Sequence, residues 1–298
     1  MLDSKKNKVF FSAQLTQTYR KCKKPIIDAL KKNGIEIGSD IRQTKDIWAR
    51  DYMPIQVGDN KFMRFRYNPD YLVKVQGMSE FITDKPECNF LRDKDVIDCD
   101  VILDGGNVVV CGNKIILTEK VFKENGDLTK YEITKRIESA SEKQVVWIPC
   151  DPNEIKECEK RNELPLCHAD GILHAIDNET ILLSNYIDYD LEYRSKLLER
   201  LTPYFKIKEF HFGEISTEKS WIYINYLQIG NVVLMPTVNE EADDIAVKQL
   251  KEFLQVDSVI KIDSRELTFD AKDENVGGSL HCISWNVFDS SIQKTING

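Results

Sequence analysis

A strand–turn–strand pattern returns five times along this chain, and few architectures can absorb such a repeat. It occupies residues 46–67 (DIWARDYMPIQVGDNKFMRFRY), 101–119 (VILDGGNVVVCGNKIILTE), 166–185 (LCHADGILHAIDNETILLSN), 221–237 (WIYINYLQIGNVVLMPT) and 277–288 (GGSLHCISWNVF). In the first four copies a strand bearing polar residues meets a Gly, Asn or Asp turn and then an apolar strand, the signature of a β-hairpin. Helix candidates follow at about 71–83, 129–140, 190–201 and 240–254. Thr129 with Glu132 reads as a capping box, and Asp190 and Asn239 read as N-caps. Further strand-like runs close the repeats at 144–150, 205–210 and 258–262.

The fifth copy stops before its second strand and its helix. The N-terminus carries what is missing: KVFFSAQL at 8–15, a helix over about 18–32 that stops before Gly34, and IEI at 35–37. The two chain ends therefore complete one unit between them. The expected fold is an α/β five-bladed propeller of pseudo-fivefold ββαβ units, a single domain over residues 1–298. Pairing of the N- and C-terminal segments closes it and leaves no free sheet edge at the seam. An open α/β sheet with coincidental spacing is the alternative.

Charge and composition exclude several function classes. The chain has 41 Lys+Arg against 49 Asp+Glu, a net charge of −8, so phosphate backbones are repelled and no nucleic-acid partner is expected. No stretch approaches the roughly 20 apolar residues that span a bilayer. MLDSKKNKVFFSAQL at the start does not read as a signal peptide, so a reducing cytoplasm without disulfides is expected. Cys150, Cys158 and Cys167 are spaced far more widely than the C-x₂₋₄-C of structural zinc, so no metal is expected.

In a ring of repeats, equivalent positions face one axis. Those positions carry Asp51, Asp104 with Asn107, His168 with Asp170, Asn225 and Cys282. Each has a plain reading of its own: an Arg50–Asp51 ion pair, a DGGN turn, a hydrogen-bonded core histidine, an amide that satisfies backbone, a buried thiol. Together, a thiol, an imidazole and carboxylates converging on one space are the elements of nucleophilic catalysis by cysteine. Asp170, two residues beyond His168, is expected to share its strand face and orient it. His174, His211 and His281 read as structural, with His281 pointing away from the face of Cys282.

WARDYMPIQ (48–56), LDGGN (103–107), CHADG (167–171), YINY (223–226) and GGSLHCI (277–283) resemble the guanidine-modifying (pentein) superfamily, most closely the agmatine deiminases and bacterial peptidylarginine deiminases. The motifs span 48–283, nearly the whole chain. The resemblance implies the five-bladed α/β propeller and the hydrolysis of a guanidinium to a ureido group and ammonia, with no cofactor. It implies Cys282 as the nucleophile that forms a thiouronium, His168 as general acid and base, and Asp51 and Asp170 as the carboxylates that hold the guanidinium. Asp104 stands near the histidine where relatives often have Glu; Asn107, Asn225 and Trp48 are further substrate-contact candidates.

Agmatine, giving N-carbamoylputrescine for putrescine synthesis, is the first expected substrate. Peptidylarginine or free arginine is the alternative; free arginine needs a cation for its α-carboxylate, and agmatine does not. Specificity is expected from loops 150–165, 213–219 and 263–277. A non-catalytic binding propeller would lack the Cys–His–Asp set. The expected partner is a small cationic guanidine, with no membrane, and a homodimer as the default for a soluble enzyme.

Overall fold

The computed structural model describes residues 1–18, 20–215, 221–238, 241–269 and 278–292, apart from the side chains of 16–22. Its strands are β1 (Lys8–Phe11), β2 (Glu36–Ile37), β3 (Ile55–Gln56), β4 (Lys61–Arg66), β5 (Asp95–Ile102), β6 (Val109–Cys111), β7 (Lys114–Thr118), β8 (Gln144–Ile148), β9 (Leu173–Ala175), β10 (Thr180–Leu183), β11 (Lys206–Glu209), β12 (Leu227–Ile229), β13 (Val232–Thr237), β14 (Ile260–Asp263) and β15 (Ser284–Val287). They form five three-stranded sheets: β3-β4-β5, β6-β7-β8, β9-β10-β11, β12-β13-β14 and β15-β1-β2. In every sheet the middle strand runs antiparallel to the first and parallel to the third. A tight turn suffices for the antiparallel pair, whereas the parallel pair needs a crossover.

Helices supply most of those crossovers. Lys130–Ser141 carries the expected capping box, with Thr129 and Glu132 each accepting from the other's backbone N–H. Leu191–Leu201 is capped by Asp190, which accepts from Tyr193 N. Ala242–Leu254 and Arg20–Lys32 serve two further sheets, and Gly34 follows the latter at φ +70°. Asn239 lies outside the described residues.

Two expectations fail here. The helix expected over 71–83 is a one-turn helix, Asp70–Val73, and a 3-10 turn, Ser79–Phe81. Gly77 at φ +82° interrupts any longer helix between them. The loop expected over 150–165 is largely a helix, Pro152–Arg161. Asp151 caps it by accepting from Asn153 N, Pro152 sits in its first turn, and Asn162 ends it at φ +56°.

The seam closes as the repeat requires. β1 and β15 pair antiparallel, with Phe10 opposite Trp285 and Val9 opposite Asn286. Trp285 is 2% exposed, and its ring lies 5.2 Å from Phe10 and 5.9 Å from both Phe62 and Phe90. Its indole N–H donates to Pro54 O at 2.8 Å, so one side chain joins the β15-β1-β2 sheet to the β3-β4-β5 sheet. Among the described residues no helix is long and apolar enough to cross a membrane, and Cys88, Cys99, Cys111, Cys150, Cys158, Cys167 and Cys282 are free thiols.

Replacing Trp285 by Ala should cost about 3–5 kcal/mol, the usual range for a large buried aromatic. Tyr131, 71% exposed, is the control, and its Ala variant should stay within about 0.5 kcal/mol of wild type. Urea unfolding of both variants tests the seam; equal stabilities would contradict its role.

Candidate active site

The chain passes from the last strand of one sheet toward the first strand of the next through short turns. These are Ala49–Tyr52 before β3, Gly105–Asn107 before β6, Ala169–Gly171 before β9, Trp221–Ile224 before β12, and a turn at 280–283 before β15. The repeat-equivalent polar residues sit on or beside these turns, not within the strands themselves. A turn rotates side chains differently from a strand, and two expectations built on strand alternation fail as a result.

Five hydrogen bonds tie the turns into a closed circle. Gly106 N donates to Asp51 Oδ1 at 3.1 Å, and Ala169 N donates to Asn107 Oδ1 at 3.2 Å. Asn225 Nδ2 donates to Asp170 O at 3.5 Å, and His281 N donates to Asn225 O at 3.1 Å. Arg50 N donates to Cys282 O at 3.0 Å and completes the circuit. The two glycines of the second turn permit this approach. A Cβ on Gly105 would lie 2.0 Å from Arg50 O; one on Gly106 would lie 2.7 Å from both Asp51 Oδ1 and His168 Nδ1 and 3.3 Å from Asp170 Oδ1. Gly106 is thus the floor on which Asp51, His168 and Asp170 converge.

His168 is gripped at both nitrogens. Nε2 lies 3.0 Å from Asp104 Oδ2 and Nδ1 lies 3.7 Å from Asp51 Oδ1. Its orienting carboxylate is therefore Asp104, not Asp170, which corrects the strand-face expectation. Cys167, just before it, holds a left-handed φ of +49°, a conformation that costs a non-glycine residue energy and fixes where His168 emerges. Lys120 Nζ donates to Asp104 Oδ2 at 2.6 Å and lies 3.2 Å from Glu124. The ring of Tyr71 stands edge-on to His168 and lies 4.5 Å from Lys120 Nζ.

On the other side, Cys282 Sγ donates to Asn225 Oδ1 at 3.4 Å and lies 3.9 Å from Asp170 Oδ2. Asn225 also accepts from the backbone N–H of His281 and Cys282, so it fixes the turn that presents the thiol. His281 does not point away. Its Nδ1 lies 2.6 Å from Asp170 Oδ2. Asn107 is fully engaged at its oxygen by Thr118 N and Ala169 N, and Trp48 packs its ring against Gly278. The buried Nδ2 of Asn107 has no hydrogen-bond partner among the described residues. The Arg50–Asp51 ion pair is absent, since Arg50 Nη2 donates instead to Asn286 Oδ1 at 2.6 Å.

Burial and charge pull the titrating groups apart. Burial alone would depress His168, but the Asp51 and Asp104 carboxylates outweigh it and raise the pKa to about 9. Burial would raise Asp104; Lys120 and His168 reverse that and bring it to about 2. Burial pushes Asp51 up to about 7, with Asp104 and Asp170 adding to the effect and His168 opposing it. Burial also acts to raise Asp170, yet the hydrogen bond from His281 prevails and lowers it. Burial, with Asp170 and Asp51 beside it, drives the Cys282 thiol well above its ordinary value. At neutral pH the site therefore holds an imidazolium and a thiol.

Sequence reading missed Lys120, Tyr71 and the contact made by His281. A lysine embedded in the apolar run KIILTEKVF was the available signal for the first. The parts of loops 213–219 and 263–277 at 216–219 and 270–277 lie outside the described residues.

NMR titration of His168 should give a pKa of about 9, and Asp104→Asn should lower it toward its ordinary 6.5, because the carboxylate that favours the charged ring is gone. No downward shift in that variant would contradict the assignment of Asp104 as its partner.

The sequence signature of Porphyromonas-type peptidyl-arginine deiminases matches residues 8–287. A Shewanella baltica protein provisionally named as an agmatine deiminase is 24% identical over 293 residues, covering 82% of this chain and 74% of its own length. Among solved structures, C. jejuni agmatine deiminase aligns with a TM-score of 0.66 at 19% identity, over 97% of this chain and 95% of that one. DDAH from Pseudomonas aeruginosa aligns with a TM-score of 0.54 at 13% identity, over 94% and 99% of the two chains. These structures share the fold, and the family signature covers nearly the full sequence. This chain belongs to the Porphyromonas-type peptidyl-arginine deiminase family.

Proposed function

We propose that this protein hydrolyses a guanidinium to a ureido group and ammonia, with agmatine as the first substrate to test. The observation that carries this reading is the convergence of Asp51, His168 and Asp170 on Gly106, with Cys282 Sγ 3.9 Å from Asp170. A guanidinium stays protonated and planar at neutral pH, and its N–H fork suits paired carboxylates. Asp51 and Asp170 take that role here.

The charge balance then drives the chemistry. The two carboxylates that discourage a thiolate are neutralised when the substrate cation arrives, so Cys282 ionises in the complex. The thiolate attacks the guanidinium carbon to give a tetrahedral adduct. His168, charged at neutral pH, donates its proton to one amino group, and ammonia departs. The thiouronium on Cys282 remains. Neutral His168 takes a proton from water as the oxygen attacks the same carbon. The C–S bond then breaks, the second proton of water returns Cys282 to its thiol, the ureido product leaves, and the proton that Cys282 gave up to solvent on ionising converts the released ammonia to ammonium. Holding the reacting atoms in place is worth about 7–11 kcal/mol in favourable cases. Asp104 and Lys120 keep the imidazole oriented throughout.

A ureido assay against agmatine, arginine and a blocked arginyl peptide tests the substrate class. Agmatine should turn over fastest, and Cys282→Ala should abolish ureido formation with the fold intact. Persistent ammonia release by that variant would contradict the mechanism. Asp51→Asn removes one charged pair worth about 1.5–3 kcal/mol, so KM should rise roughly ten- to a hundredfold; an unchanged KM would remove Asp51 from the substrate clamp. The pH profile of kcat/KM should be a bell. It falls on the acid side as Asp51 takes a proton near 7, and on the alkaline side as His168 loses one near 9. A flat profile across that range would contradict these roles.

A further inference from the structure

We propose that His281 and Asp3 form a positioning relay that holds Asp170 for the substrate cation from behind. The relay rests on the function proposed above, but its geometry is independent of it. Asp170 Oδ1 faces Gly106 and the convergence point, whereas Oδ2 is taken by His281 Nδ1 at 2.6 Å. The imidazole therefore fixes which edge of the carboxylate is offered to the site. Both residues are buried, Asp170 at 2% and His281 at 6% exposure, so this hydrogen bond is shielded from competition by water.

The other end of His281 leads to the N-terminal turn Asp3–Lys5. His281 Nε2 lies 3.6 Å from Asp3 Oδ2, and His174 Nε2 lies 3.4 Å from the same oxygen. Among the described residues that oxygen has no hydrogen-bond partner, although the Asp3 side chain is only 9% exposed. Asp3 Oδ1 is held by Lys6 Nζ at 2.7 Å. Asp3, Lys6, Arg50, His174, His281 and Asn286 line a cavity of about 40 Å³ beyond the catalytic turns. A carboxylate–imidazole–carboxylate line thus runs from the N-terminal turn to the substrate side. Asp170 is faced by His281, His168, Arg50, Asp51 and Cys282; its Oδ2 is held closely by His281 Nδ1 at 2.6 Å and only loosely approached by Cys282 Sγ at 3.9 Å. At 3.6 Å the far carboxylate acts on the imidazole by charge rather than by a hydrogen bond, favouring the ring position in which Nδ1 faces Asp170.

Asp3 Oδ2, His174 Nε2 and His281 Nε2 also lie within 4.8 Å of one another, a spacing that suits a divalent ion. The buried Lys6 ammonium on the same carboxylate, with Arg50 lining the same cavity, already supplies the positive charge there. The relay is accordingly the reading the surroundings favour, and metal binding is the outcome that would replace it.

His281→Leu, His281→Asn and Asp3→Asn are compared with wild type by thermal unfolding, by kcat and KM for ureido formation, and by ¹³C NMR titration of Asp170 in the substrate-free protein. His281→Leu should raise KM at least about tenfold with a smaller change in kcat, since the interaction serves ground and transition states alike. It should also raise the Asp170 pKa. His281→Asn, whose amide nitrogen stands where Nδ1 stood, should recover most of the KM. Asp3→Asn should fall between. An Asp170 titration that stays in place in both His281→Leu and Asp3→Asn overturns the relay, whatever happens to their stability. A wild type that converts no guanidine ends the proposed function, while the NMR arm still decides the relay. Titration with Zn²⁺ closes the last route: stoichiometric binding that Asp3→Asn abolishes overturns the relay, and no binding supports it.

Discussion

The pairing of β1 with β15 joins residues almost a full chain length apart, and the axis exists because of it. Cys282 lies two positions before β15, and Arg50, which closes the circle of turns, donates to its carbonyl. The seam thus places the thiol against the first turn. Loop-closure entropy grows only slowly with length, so a contact across nearly the whole sequence is no prohibitive cost once five sheets have packed. What the seam must resist is opening, and Trp285 supplies much of that resistance. It is buried, meets three aromatic rings, and spends its only polar hydrogen on Pro54 O.

A second constraint follows from bringing so many charges to one place. Buried carboxylates are costly unless each has a partner. Asp104 has Lys120 and His168, and Asp170 has His281. Asp51 has only the backbone N–H of Gly106 and a longer contact with His168, and its pKa stands highest of the three, at about 7. The least satisfied acid is one of the two that the proposed reaction assigns to an incoming cation. The three acids therefore divide by their partners: Asp104 is held by Lys120 and His168, Asp170 by His281, and Asp51 is left with the most unmet charge.

Much of this was legible because it is periodic. The hairpins, the capping box at Thr129, the N-cap at Asp190 and the terminal seam all follow from patterns that repeat or that local chemistry enforces. The positions of Asp51, Asp104, His168, Asn225 and Cys282 followed from the repeat as well. Their orientations did not. Strand alternation set Asp170 beside His168 and turned His281 away, and both readings failed because 168–171 and 280–283 are turns. Lys120 escaped for a different reason. A buried cation makes sense only beside its acids; Glu124 lies one turn along the same short helix, but Asp104 comes to it through the fold. The helix Pro152–Arg161 carries a readable Asp-Pro start, but its charged residues also fit an exposed loop.

The account rests on one covalent event, the bond between Cys282 and the guanidinium carbon. Acid quenching during turnover of agmatine, followed by mass spectrometry of intact protein and of its peptides, reads that bond directly. The account predicts a species heavier by the substrate less one ammonia, with the added mass on Cys282. Steady turnover with that cysteine unmodified at every quench time, or with the mass on another residue, would contradict it.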